Sequence, residues 1–149
     1  MSRDSGPHVL SVVIVNQKRE LTRLGELAER YGEECGLSED DTMSICLVLD
    51  EMVSNVIKYG HDDGLEHQIH VRVQVEGDLL TIQIEDDGKA FNPLEAAPPD
   101  LDSPIEQRPI GGLGVFIVKS MAESLDYRRE RDRNIFTMTK RTESRQGGR

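Results

Sequence analysis

Three short segments carry residue types that could do chemistry together. In LVLDEMVSNVIKYG, Glu51 and Asn55 stand four apart in a stretch that reads as helix, so they share a face, with Lys58 three residues further on. Asn is a poor mid-helix residue, and its neighbours Val53, Val56 and Ile57 are apolar, which sets Asn55 at the border of a core. An amide oxygen there could join the shell of a hard cation such as Mg²⁺. A carboxylate one turn away could orient or deprotonate a hydroxyl. Taken alone, the segment fits equally a border Asn bonded to backbone beside a solvated Glu. In LLTIQIEDDG, an apolar alternating run ends at Asp86-Asp87-Gly88. A carboxylate delivered there to a cleft could accept a hydrogen bond from an exocyclic amine, and Gly88 would let the backbone turn and a flat ligand approach. An ordinary strand-ending turn has the same residues. Finally, Gly111-Gly112-Leu113-Gly114 opens a helical stretch, with Arg108 just upstream. Glycines before a helix expose backbone N–H groups, and the helix dipole favours anions there.

The third segment matters because the net charge is -10. Such a surface repels nucleic acid, which excludes general DNA or RNA binding. It also repels a nucleotide phosphate unless a cation, a helix N-terminus or placed basic groups reverse the local field. Better-known phosphate motifs are absent. A P-loop needs Gly directly before Lys-Ser, but Val118 precedes Lys119-Ser120. A dinucleotide fingerprint needs a small residue where Ile117 stands and a strand just before the glycines, where this chain has a proline-rich stretch. There is no HRD or DFG, and no Ser-His-Asp or Cys-His layout. His67 and His70 stand three apart on an apparent strand and so point to opposite faces, which argues against a shared metal ion. Cys35 and Cys46 read as small buried hydrophobes.

The elements that must position these residues follow from periodicity. Residues 9–15, VLSVVIV, read as a strand. Residues 17–34 place Leu21, Leu24, Leu27, Ala28 and Tyr31 at helical spacing, with Gly32 and Gly36 marking the end. Ser38 and Asp41 look like a capping box for a helix over about 39–59, with Gly60 as its C-cap. Residues 67–76 and 79–85 alternate strictly around Gly77-Asp78, which predicts a β-hairpin with one buried face. Residues 87–110 hold Pro93, Pro98, Pro99, Pro104 and Pro109 without periodicity, and a loop that long needs a purpose such as a lid. A helix over 113–124 and a second hairpin, 125–131 and 134–140 turning at Asp132-Arg133, complete the chain.

The length of 149 residues suits one domain. The expected fold is an α/β (α+β) two-layer sandwich: one mixed, mostly antiparallel sheet covered on one face by three helices. The domain is expected over 9–141, with a lid at about 89–110, a flexible N-terminus at 1–8 and a flexible tail at 142–149. No run of about 18 apolar residues exists to span a membrane, and MSRDSGPHVL lacks a signal-peptide apolar region, so the cytoplasm is the expected location.

The order of the segments resembles the GHKL ATPase superfamily of gyrase, Hsp90, histidine kinases and MutL. LVLDEMVSNVIKYG, IEDDGKAFNP and RPIGGLGVFIVKSMAESLDY look like its N, G1 and G2 boxes, and the resemblance spans about residues 9–140. The subgroup it resembles is the anti-sigma-factor serine kinases of the RsbW and SpoIIAB type, down to a closing strand from Asn134 to Lys140. The resemblance implies ATP and Mg²⁺ as cofactors. It makes Asn55 the Mg²⁺ ligand, Glu51 the general base, and Asp86 the acceptor for the adenine amine, with Gly88 as its glycine. Gly112 and Gly114, beside Gly111 and Leu113, would wrap the phosphates, with Arg108 from the lid and Lys58 as further phosphate contacts. The implied partners are a STAS-type anti-anti-sigma factor, whose serine would be phosphorylated, and a sigma factor; a homodimer is a state the resemblance allows. The chain departs from many relatives at Tyr59-Gly60, where they carry His-Ala. Nothing matches a histidine phosphoacceptor helix, so a complete two-component sensor is not expected. Two functional classes stay open: an active serine kinase, and a nucleotide-dependent partner-switching module without kinase activity.

Overall fold

A computed structural model describes residues 8–95 and 112–143. In chain order the elements are β1 (His8–Val15), α1 (Arg19–Cys35), α2 (Glu39–Tyr59), β2 (Gln68–Glu76), β3 (Leu79–Asp86), a 3₁₀ turn (Pro93–Glu95), α3 (Gly112–Met121), β4 (Ser124–Glu130) and β5 (Arg133–Arg141). The strands form one five-stranded sheet in the order β1-β2-β3-β5-β4. Every neighbouring pair is antiparallel, so the sheet of the described residues is uniformly antiparallel where a mixed, mostly antiparallel one was expected.

The alternation in β2 and β3 does what its period dictates. Ile69, Val71, Val73 and Val75 face inward with Leu80, Ile82 and Ile84, and the intervening residues face out. Against that face pack Leu24, Ala28 and Tyr31 of α1, Ile45, Val48, Leu49, Met52 and Val53 of α2, and Val115 and Val118 of α3, in one continuous core. Tyr31 ties the layers together: its hydroxyl donates to the His8 carbonyl at 2.6 Å and accepts from the Val75 N–H at 2.9 Å. Cys35 is buried; Cys46 is half-buried, and burial pushes its thiol pKa up, which suits an inert packing role. Among the described residues no helix is long and apolar enough to cross a membrane.

Four local expectations need correction. Gly36, left-handed at φ 69°, caps α1, whereas Gly32 lies inside the helix, where a side chain would overlap Thr42 of α2. Ser38 does cap α2, accepting from the Asp41 N–H at 3.0 Å. The Asp41 carboxylate, however, does not complete a capping box. It is fully buried and accepts from Lys140 Nζ at 2.6 Å and the Glu143 N–H at 2.7 Å, tying the first turn of α2 to the end of β5. The β4–β5 hairpin turns at Arg131-Asp132, both at positive φ, one residue earlier than expected. Lastly, α3 begins at Gly112 and stops at Met121, because β4 already starts at Ser124. Most of the lid, with Arg108 and Gly111, lies outside the described residues.

Candidate functional site

A cleft opens between α2 and the β3–β5 end of the sheet. Met52, Ile84, Phe91 and Phe136 give it apolar walls, while Asn55 and Asp86 bring the polar groups. Both polar residues are buried, at 7% and 4% exposure. The combination suits a flat heteroaromatic ring read by a carboxylate.

Asp86 is the last residue of β3 and is paired in register with Asn134 of β5. Its Oδ1 accepts from the Asn134 amide at 3.0 Å and from the Gly88 N–H at 2.8 Å. Among the described residues Oδ2 accepts no hydrogen bond. The carboxylate is therefore oriented through one oxygen. Asn134 is a hub: its amide also donates to the Lys89 carbonyl at 2.9 Å, and its Oδ1 accepts from Arg129 at 3.1 Å and from the Tyr127 hydroxyl. Arg129 reaches on to the Gly88 carbonyl at 2.8 Å. Gly88 lies behind Asp86, away from the cleft wall. An added Cβ would stand 2.7 Å from the Gly60 carbonyl oxygen, and that same oxygen accepts from the Lys89 N–H at 2.8 Å. The close approach that this glycine allows is thus between two backbones, the turn after β3 and the end of α2.

On the other wall, Glu51 and Asn55 share a face of α2 as their spacing required. Burial pushes the Glu51 carboxyl pKa above its ordinary value and the neighbouring Asp50 adds to the rise, while Lys58 and the Asn55 amide pull the other way. The first turn of α3 presses on this carboxyl: a side chain at Gly114 would overlap it. So the helix-borne acid meets the glycine-led helix at Gly114, while Asn55 and Asp86 share the cleft, which neither Glu51 nor Gly114 lines. Gly112 and Leu113 belong to that first turn. Lys58 is exposed and does not line the cleft. Lys119 of α3 donates to the Leu94 carbonyl at 2.7 Å, anchoring the described start of the lid to α3.

Sequence reasoning gave no role to Asn134, Tyr127 or Arg129. The resemblance marked Asn134 only as the start of the closing strand. Its function as a hub rests on a pairing 48 residues away, and the register of β5 on β3 is the signal that would have found it.

Among the described residues the chain is a one-sheet, three-helix α+β fold in which Asn55 on a helix face and Asp86 at a strand end share one cleft, an architecture of the ATPase-domain class. The profile of the histidine kinase-like ATPase domain matches residues 14–140, and the chain belongs to that family. Within it the relatives are RsbW-like. The serine/threonine-protein kinase BtrW of Bordetella bronchiseptica is 26% identical over 98 residues, covering 66% of this chain and 68% of BtrW. The serine-protein kinase RsbW of Listeria monocytogenes is 26% identical over 116 residues, covering 72% of each chain. Among solved structures, the RsbU and RsbW domains of a Mycobacterium tuberculosis protein superpose with a TM-score of 0.63 at 11% identity. That likeness covers 91% of this chain and about a third (32%) of the other, and it speaks to the fold alone.

Proposed function

We propose that the chain is an ATP-dependent serine/threonine protein kinase of the anti-sigma type. It would phosphorylate a STAS-type anti-anti-sigma partner and sequester a sigma factor when that partner is phosphorylated, as a cytoplasmic protein. The observation that carries the reading is the cleft itself. Asp86, oriented through one oxygen at an apolar floor, faces a helix that bears Asn55 and Glu51.

In this reading the adenine amine donates to Asp86, and Met52, Ile84, Phe91 and Phe136 exclude water around the ring. The buried amide oxygen of Asn55 is a hard donor that fits Mg²⁺, with phosphate oxygens and waters to complete the shell. The ion would neutralise charge on the phosphates. Gly112 to Gly114, in the first turn of a ten-residue helix, offer N–H groups and a favourable dipole to the phosphates. Glu51, with its raised pKa, would orient the serine hydroxyl and take its proton. Arg108, Gly111 and Lys58 would supply further phosphate contacts.

The test is transfer of label from γ-labelled ATP to a serine of a candidate STAS partner, compared with Glu51→Gln. Labelling lost in the variant while nucleotide affinity holds supports the kinase. One observation favours the second reading, a nucleotide-dependent binding module: α3 packs on the Glu51 carboxyl at Gly114. A serine hydroxyl would reach that carboxyl only if the first turn of α3 shifts. ATP binding without labelling of any cognate partner would select this reading.

A further inference from the structure

The loop after α2 and the turn after β3 bring together two imidazoles and two carboxylates, none of which lines the cleft. His61 and His67 stack with ring centroids 3.5 Å apart and 7° between planes. His67 Nε2 lies 2.8 Å from Asp63 Oδ2, and its Nδ1 lies 3.4 Å from Asp87 Oδ1. His61 Nε2 lies 3.3 Å from the same Asp87 oxygen, at angles that make no hydrogen bond. The His61 side chain is only 9% exposed, and its Nε2 is a buried polar atom without a hydrogen-bond partner. Burying such an atom gains nothing in the metal-free chain, and it lies beside the shared carboxylate without bonding to it.

The backbone that carries these groups is tethered before any ion arrives. Asn16 holds His67 from both sides: its Oδ1 accepts from the His67 N–H at 2.9 Å, and its own N–H donates to the His67 carbonyl at 3.0 Å. Asp63 Oδ1 accepts from the Leu65 N–H at 2.9 Å, which turns Oδ2 toward His67. Asp87 is held between Asp86 and Gly88, whose N–H is bonded to Asp86.

We infer that His61, Asp63 and His67, with Asp87 as fourth ligand, form a site for a borderline divalent transition-metal ion of the Zn²⁺ type. Two imidazoles with carboxylates suit Zn²⁺, Co²⁺ or Ni²⁺, whereas Mg²⁺ and Ca²⁺ prefer all-oxygen shells. One ligand atom each from His61, Asp63 and His67 already lies within 4.8 Å of the others. A tetrahedral ion needs them about 3.3 Å apart. Closing that gap requires the two rings to splay, since an ion cannot lie in the planes of two parallel stacked rings at once. Two of the three sit in the loop between α2 and β2, and His67 is its last residue before β2, where such an adjustment is easiest. The bound ion would clamp the end of α2 to the turn that carries Asp86.

The experiment uses the tag-free full chain without nucleotide, titrated with Co²⁺ by visible absorption and with Zn²⁺ by calorimetry. Because the probe is the metal alone, its failure is separable from failure of the nucleotide reading. The expected result is one equivalent bound, with a tetrahedral Co²⁺ spectrum, unaffected by excess Mg²⁺. His61→Ala and His67→Ala should each weaken binding by about tenfold or more, and His70→Ala, on the exposed face of β2, should leave it unchanged. If either imidazole variant fails to fold, Asp63→Asn and Asp87→Asn, at half-exposed side chains, carry the same comparison. Absence of a Co²⁺ spectrum from the folded chain, or equal binding by a folded His61→Ala/His67→Ala double variant, would overturn the site.

Discussion

Two buried carboxylates sit at opposite ends of β5, and they are used in opposite ways. At the far end Asp41, in the first turn of α2, spends both oxygens on the chain: Oδ1 on Lys140 and Oδ2 on the Glu143 N–H. At the near end Asp86, which lines the cleft, takes its bonds from Gly88 and Asn134 on Oδ1, and among the described residues Oδ2 accepts none. The C-terminal half of α2, with Glu51 and Asn55, lies over this second end. A carboxylate whose acceptor capacity is consumed internally holds a fold together. One that is oriented yet under-used is equipped for a ligand. The same two elements, α2 and β5, are thus structural at one end and, in the proposed reading, hold the nucleotide at the other.

That contrast can be broken by substitutions. The largest effect is expected at the functional end: Glu51→Gln should slow transfer to a partner serine by about 10²–10⁴-fold, the usual worth of a general base, with ATP affinity unchanged. A variant that transfers at the parent rate would remove Glu51 from the chemistry. At the structural end, Lys140→Met should lower stability by about 3–5 kcal/mol in urea denaturation, because it strands a fully buried carboxylate. Nucleotide affinity of the folded fraction should be normal, and a matching loss of affinity would erase the distinction between the ends. Asn55→Ala should cost Mg-dependent nucleotide binding at least about tenfold, measured by calorimetry, since even partners one shell further out are worth about 10–100-fold. Asp86→Asn should weaken ATP by about 10–100-fold, the worth of a charged hydrogen bond, and leave tripolyphosphate almost untouched. Equal losses for both ligands would place Asp86 in the fold.

The smallest effect concerns pH. The Glu51 carboxyl has its pKa raised above the ordinary 4.5, chiefly by burial, so the folded state holds this proton more tightly than the unfolded one. The resulting stability is full below the unfolded value and is lost as pH rises through the folded pKa. Relative to Glu51→Gln, the parent should therefore lose a little stability across that window in thermal melts. A parent that gains stability there would mean the carboxyl is not desolvated.

Local patterns made much of this legible. The strict alternation of Ile69 to Val75 and Leu80 to Ile84 gave the central hairpin and its buried face, and Ser38 with Gly60 bounded α2 to the residue. The i, i+4 spacing put Glu51 and Asn55 together before any coordinates. What stayed hidden depends on contacts between distant residues. Asn134 meets Asp86 across 48 residues and Lys140 meets Asp41 across 99, and no local period encodes either pairing. His67 illustrates the same limit. Its spacing from His70 argued only against a partner on the strand, whereas the loop after α2 folds back to stack His61 on it.

The most direct measurement is a crystal structure of the chain with a non-hydrolysable ATP analogue and Mg²⁺. The account predicts the adenine between Met52, Ile84 and Phe136 with its amine on Asp86 Oδ2, and the ion on the Asn55 amide oxygen. Nucleotide bound elsewhere on the molecule, with Asp86 still holding only Gly88 and Asn134, would contradict it.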